Sequence, residues 1–254
     1  MSETRDYWTT LKERGLKTAL RELKSRLTFE KPTQALPKLL DLLDKYNARF
    51  TFFVVGYIAD HHPEIVDILI ERGHEVAAHG YYHRRMDLMA EEEIENDISA
   101  TQYCFKAHFN IDLRGFRAPY LKMAESFAPL LQKYKFKWSS STMGQQPLTY
   151  DGGLTEYPIA HDDWQYLINL GWKSSQMFAE IVSKMQSLQV LLLHPLRITR
   201  KSIFTDFESF LQGNSEKFKF STISRMKGNS IALTGDIGEY SLWDTAQRMS
   251  HKHK

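Results

Sequence analysis

Two histidines four residues apart, His79 and His83, stand directly behind the short run Glu75-Val-Ala-Ala78. Imidazoles at that spacing, where a strand gives way to a loop, can turn to one point and hold a divalent metal. Such an ion with an open position polarises a carbonyl and activates water, so the chemistry indicated is hydrolysis. The pair alone is a weak signal, because the spacing arises by chance. Polar residues recur, however, at the same place in successive units. Arg117 and Tyr120 follow one strand-like run, Asp162, Asp163 and Trp164 follow another, and His194 follows Val190-Leu-Leu-Leu193. Taken singly, Arg117 and Asp162 read as surface ion pairs or hydrogen-bonded structure. A histidine that caps four apolar strand residues must find a partner or be put to use.

The elements that would position these residues alternate short β-like runs with amphipathic helical ones, the pattern of a mostly parallel sheet wrapped by helices. Strands are expected at 49–55, 75–78, 113–117, 136–140, 190–193 and 217–221, with another at 154–159. Helices are expected at 9–26, at the one-face spacing of Leu36, Leu39, Leu40 and Leu43, and at 63–71, 91–107, 124–134, 174–187 and 204–211. In a parallel α/β architecture the carboxyl ends of the strands share one mouth, so residues distant in sequence converge there.

The chain has 254 residues, long for a single domain but ordinary for an α/β barrel. Its 33 basic and 31 acidic residues nearly balance, with no long charged block, so nothing nominates a nucleic acid or an anionic membrane as partner. The single cysteine, Cys104, reads as a small apolar filler on a helix and suits a reducing compartment. The first five residues lack the apolar core of a secretory signal and no run is long enough to span a bilayer; the expectation is a cytoplasmic protein without membrane insertion. A homo-oligomer stays open.

Four motifs in order carry a family resemblance: Phe50-Thr-Phe-Phe-Val-Val-Gly56, Arg72-Gly-His-Glu-Val-Ala-Ala-His-Gly-Tyr-Tyr-His83, Arg114-Gly-Phe-Arg-Ala-Pro-Tyr120 and Leu191-Leu-Leu-His-Pro195. Over roughly residues 35 to 225 the chain resembles the polysaccharide deacetylases, the NodB-homology or carbohydrate esterase family 4 superfamily. The resemblance implies an irregular (β/α) barrel of about seven parallel strands and a metal-dependent deacetylase acting on an N-acetylated sugar or glycan. By it, His79 and His83 are metal ligands, with zinc the commonest ion. Arg117 orients the catalytic carboxylate, and the backbone at Tyr120 helps bind the oxyanion. His194 protonates the leaving amine, Asp163 tunes that histidine, and Trp164 and Tyr81 line the sugar pocket.

The departure is at the front. The family opens with a buried strand ending in an aspartate-rich motif that supplies the general base and the third metal ligand, and no such strand is visible near the start of this chain. Arg26-Leu-Thr-Phe-Glu30 resembles it in part, but Lys31 stands where the second carboxylate should be. Aligning Asp6-Tyr-Trp8 with the residues that trail the motif in some relatives puts Glu3 near the base position and Arg5 near the ligand position, where a guanidinium would oppose an ion. Three outcomes remain: the first strand is absent or altered, Asp6 or Glu3 is the third ligand, or the site holds no metal and the chain is a non-catalytic sugar-binding relative. The expected organisation is an N-terminal helical segment at 1–32, the barrel at 33–228 and a polar tail at 229–254.

Overall fold

The computed structural model describes residues 16–17, 32–123 and 126–238. Among them a ten-stranded sheet curls into a barrel-like wall with helices outside. In chain order the elements are α1 (Pro32–Lys45), β1 (Phe50–Val54), α2 (Gly56–His61), α3 (Pro63–Glu71), β2 (Glu75–Ala78), α4 (Glu91–Phe109), β3 (Gly115–Phe116), α5 (Phe127–Lys133) and β4 (Trp138–Ser139). They continue with β5 (Leu148–Thr149), β6 (Thr155–Glu156), β7 (Ile159–Asp162), α6 (Ser174–Lys184), β8 (Val190–Leu192), α7 (Pro195–Ile198), α8 (Lys201–Asn214), β9 (Lys219–Ser221) and β10 (Ser230–Ile237).

The strand order is β5-β6-β4-β3-β2-β1-β10-β8-β7, with β9 beside β10; every pairing is parallel except β5 with β6. Past β4 the chain curls round to β7, where the Ile159 N–H donates to Thr142 O at 2.8 Å and the Gly144 N–H donates to Ile159 O at 3.0 Å. No described helix is long and apolar enough to cross a membrane.

The fold overturns one sequence expectation. Residues 230–237, assigned above to a polar tail, form the longest strand in the sheet. β10 lies between β1 and β8, with Phe50 opposite Leu233 and Leu192 opposite Thr234. The barrel therefore has a strand with an aspartate near its carboxyl end, and that strand comes last, not first, among the described strands. The expectation failed because it tied the strand to the front of the chain, whereas a parallel sheet constrains only which strands are neighbours in space.

Alternation along each strand sets the two cores. Phe50, Phe52 and Val54 of β1 and Ile231, Leu233 and Ile237 of β10 pack outward with the helices, including the buried stripe Leu36, Leu39, Leu40 and Leu43 of α1. Phe53, Ala77, Trp138, Val190, Leu192 and Ala232 pack together inside the barrel. Because side chains repeat every second residue in a strand, the inward rows continue to the carboxyl ends of the strands. Ala77 leads to His79, Gly115 to Arg117, Leu192 to His194, and Ala232 through Thr234 to Asp236. The apolar interior thus ends in a polar layer at the mouth.

Candidate functional site

Arg117 is the centre of that layer. Its side chain is 0% exposed, and its guanidinium stacks on the Phe53 ring at 3.9 Å. Nε donates to Ser140 O at 2.7 Å, Nη2 to Ser140 Oγ at 2.8 Å, and Nη1 to Thr234 Oγ1 at 3.1 Å and Asp236 Oδ1 at 2.8 Å. A buried guanidinium needs a carboxylate and a full set of acceptors, and strands β4 and β10 supply them. Burial alone would raise the Asp236 pKa, but Arg117, His79 and His194 hold it below the usual carboxylate range.

His79 presents its other face to the same carboxylate. Its Nδ1 lies 2.9 Å from Arg117 O, which can only accept, so Nδ1 carries the proton and Nε2 the lone pair in the neutral ring. Nε2 stands 3.7 Å from Asp236 Oδ2. A lone-pair nitrogen facing a carboxylate oxygen in a buried layer is an arrangement that a cation or proton resolves. His83 completes the group, its ring centroid 4.8 Å from that of His79. Burial, reinforced by His79, lowers the His83 pKa to about 3, which keeps the ring in the neutral form that ligates metals. By residue type, two imidazoles and a carboxylate match the donor set of a zinc-type site.

The loop that turns both rings inward is built for the purpose. Gly80 adopts φ 69° and His83 φ 53°, both left-handed. A Cβ on Gly80 would meet Asp97 Oδ1 at 2.9 Å, and that oxygen accepts the Tyr81 N–H at 2.7 Å. From the other side Gly56 N–H donates to Gly80 O at 2.8 Å and Tyr57 N–H to Tyr81 O at 3.0 Å. Helices α2 and α4 therefore grip the loop between the histidines.

His194 belongs to a second group at the end of β8. Its Nδ1 makes a short contact with Asp163 Oδ1, and its backbone N–H donates to Asp163 Oδ2 at 3.0 Å. Arg197 Nη1 donates to the same carboxylate at 2.9 Å, and its guanidinium lies over the Trp164 ring at 4.8 Å. Burial opposes ionisation of Asp163, but His194 and Arg197 outweigh it and lower its pKa to about 2. Its neighbour Asp162 is pushed up to about 6, first by burial and then by the charge on Asp163, against the opposing pull of His194. Donor atoms of Asp162, Asp163 and His194 lie within 4.8 Å of one another. Arg197 already fills the cation's place on Asp163, and Asp162 accepts the Trp164 N–H at 2.9 Å, so this cluster works as a held histidine better than as a metal site.

The structure thus gathers His79, His83, Arg117, Tyr120, Asp163, Trp164 and His194 at one mouth. The Tyr120 ring lies 4.7 Å from that of His83, on a turn held at φ 60°. Tyr81 is elsewhere, contrary to the sequence reading. Its hydroxyl donates to Asp60 Oδ2 at 2.9 Å, because the turn that points His79 and His83 inward sends Tyr81 to the outside. Asp6, with Glu3 and Arg5, lies outside the described residues. Sequence reasoning missed Asp236. Its signal was available in Ile231-Ala-Leu-Thr-Gly-Asp236, an apolar run ending in a carboxylate as other runs end in histidine.

A family model described as Polysaccharide deacetylase matches residues 20–139. The bifunctional xylanase/deacetylase of Pseudobutyrivibrio xylanivorans is 24% identical over 227 residues, covering 87% of this chain and 33% of that protein. The peptidoglycan-N-acetylglucosamine deacetylase PgdA of Listeria monocytogenes is 26% identical over 215 residues, covering 82% of this chain and 39% of that protein. The chain therefore spans well under half the length of these relatives. A Mycobacterium smegmatis structure of the polysaccharide deacetylase type superposes with a TM-score of 0.66 at 21% identity, over 95% of this chain and 84% of that one. A family 4 carbohydrate esterase from Streptomyces lividans, in complex with acetate, gives 0.55 at 20% identity, over 72% and 84%. A CE4 family pseudoenzyme from Bacillus anthracis gives 0.60 at 16% identity, over 80% and 65%. These structures share the fold.

Proposed function

The chain belongs to the polysaccharide deacetylase family, and from that premise we propose that it is a metal-dependent deacetylase hydrolysing the N-acetyl amide of a sugar or glycan. The observation that carries the reading is Asp236, which offers one oxygen to Arg117 and turns the other toward His79. In this reading His79, His83 and Asp236, not Asp6, hold the ion, with zinc the best match to two neutral imidazoles and a carboxylate. The bound ion supplies polarisation of the acetamide carbonyl and a water of lowered pKa.

The protein's own residues do the rest. Arg117 fixes the Asp236 carboxylate and keeps it ionised, the form in which its second oxygen can ligate the ion. In this reading the backbone N–H of Tyr120 donates to the oxygen that gains charge as the tetrahedral centre forms. His194, held through Nδ1 by Asp163, presents Nε2 to the departing nitrogen and gives it a proton, without which an amine leaves poorly. Asp163 stays ionised and stabilises the charged ring before that transfer, while Arg197 fixes the carboxylate and the face of Trp164, which walls the sugar site. A single buried cysteine suits a reducing compartment, and we place the reaction in the cytoplasm on that ground.

A second reading has one observation in its favour. The resemblance calls for two carboxylates, yet the residue after Asp236 is Ile237, which is buried in the outer core. A sugar-binding relative with no turnover would carry such a site. Zinc or cobalt loading of the purified protein, followed by assay on N-acetylglucosamine oligomers, separates the two. About one equivalent of metal with release of acetate supports the deacetylase. Sugar binding without acetate release at full metal loading supports the binder.

A further inference from the structure

A second group of metal-type donors lies outside the barrel mouth, between helices α2 and α4. Cys104 and His108 stand one turn apart on α4, at a spacing that puts them on one face. Asp60 faces them from α2, and donor atoms of all three lie within 4.8 Å of one another. His108 Nε2 is 2.7 Å from Asp60 Oδ1, and the Tyr81 hydroxyl donates to Asp60 Oδ2 at 2.9 Å. The Cys104 thiol donates to Gly56 O at 3.5 Å.

These residues line a hollow of about 480 Å³ that also takes in Tyr82, Arg84, Asn96 and Asp97. Asp97 lies on the same wall, where its carboxylate already pairs with a cation. Its side chain is 1% exposed, its Oδ2 makes no hydrogen bond, and the nearest cation, Arg84 Nη2, is 3.8 Å away.

We propose that Asp60, Cys104 and His108 form a divalent-metal site of the zinc type, separate from the His79 and His83 centre. Thiolate, imidazole and carboxylate are the ligands that borderline-soft ions favour, and three protein ligands leave a position open to the hollow. The Tyr81 hydroxyl stays on Asp60 as the outer partner that orients the carboxylate. Binding releases the Cys104 proton to solvent as the S–H bond breaks and the sulfur lone pair goes to the ion, while His108, which donates its Nε2 proton to Asp60 when no ion is bound, ligates as the neutral ring once that proton sits on Nδ1 instead. Asp60 is ready as an anion, because hydrogen bonds from Tyr81 and His108 outweigh its partial burial. Burial pushes the thiol up to about 12, so it sheds its proton only when an ion takes the sulfur.

The single cysteine makes the test selective. Cobalt(II) is titrated into the reduced, metal-stripped full chain and the sulfur-to-cobalt charge-transfer absorption in the near ultraviolet is followed. That absorption is expected to saturate at one equivalent, to vanish in Cys104→Ser and to survive in the His79→Ala, His83→Ala double variant. His108→Ala, a change at a half-exposed position that leaves the buried thiol intact, is expected to weaken the cobalt affinity read from this absorption by ~10-fold or more. Absence of the absorption at saturating cobalt, or an affinity unchanged by His108→Ala, overturns the proposal.

Discussion

Asp236→Asn is the most informative single change, because the same carboxylate answers to a buried arginine and to the histidine pair. At the 2.8 Å separation of Arg117 Nη1 and Asp236 Oδ1, the gross attraction is about 6 kcal/mol at an effective dielectric constant of about 20. Desolvation of both groups offsets much of that, so the useful quantity is the cost of leaving one partner behind, about 3–5 kcal/mol for a buried pair. Asparagine keeps an oxygen for Nη1, and Ser140 and Thr234 keep their bonds to the guanidinium, so the loss belongs at the low end, about 3 kcal/mol. Urea melts of the parent, Asp236→Asn, Arg117→Met and the double variant measure it. The double variant is expected to be more stable than the two single losses would sum to, with a coupling of ~1–3 kcal/mol. In parallel, metal content is expected to fall and acetate release to drop by ~10² to 10⁴. Asp6→Asn is expected to change neither. The reasoning is refuted if Asp236→Asn melts within ~0.5 kcal/mol of the parent and keeps its metal while Asp6→Asn empties the site.

Three further outcomes are expected. His194→Ala lowers turnover by ~10² to 10⁴ with metal content intact, whereas joint loss of metal and activity would make His194 a ligand. His74 is buried, its Nδ1 accepts the Phe50 N–H at 3.2 Å, and burial lowers its pKa from 6.5 to about 4. Its contribution is therefore complete above pH ~6.5 and is lost as pH falls toward ~4, about 3 kcal/mol in all. Chemical melts of the parent and His74→Phe across that window check it, the variant losing less stability than the parent. A Cβ on Gly115 would meet the Trp138 indole at 2.0 Å inside the barrel, so Gly115→Ala costs ~1–3 kcal/mol or more, read as a lowered Tm. A melt unchanged from the parent would mean that Trp138 moves aside freely.

Much of the frame was legible because local patterns are strong where one period dominates. The strand expected at 75–78 is β2, the buried run 190–193 contains β8, and the helix expected at 91–107 is α4, two residues longer and ended by Asn110 at φ 53°. The stretch expected as one strand at 154–159 is split between β6 and the start of β7, a change of neighbour that local pattern does not encode. His79, Arg117, Asp163 and His194 could be expected to converge because each follows a strand-like run whose carboxyl end faces the same mouth. Asp236 could not be placed, because a strand's slot in a parallel sheet is decided by partners such as Phe53 and Leu192, far away in sequence. Tyr81 was misplaced because the sequence does not reveal that Gly80 turns the chain and reverses which face the next residue shows.

The last position of β10 in chain order also sets a timetable. Phe50 waits for Leu233, a partner more than 180 residues later. At ~5–20 residues per second of synthesis, that is roughly ten to forty seconds after β1 emerges from the ribosome. During that interval the β1 edge toward β8 carries unpaired backbone groups beside five consecutive aromatic and β-branched residues, the kind of surface that recruits another strand. Arg117 is also made long before its carboxylate. Until β10 arrives, the half-barrel keeps an open edge and an unpaired Arg117, so the expected outcome is chaperone dependence during expression, read as soluble yield with and without added chaperone.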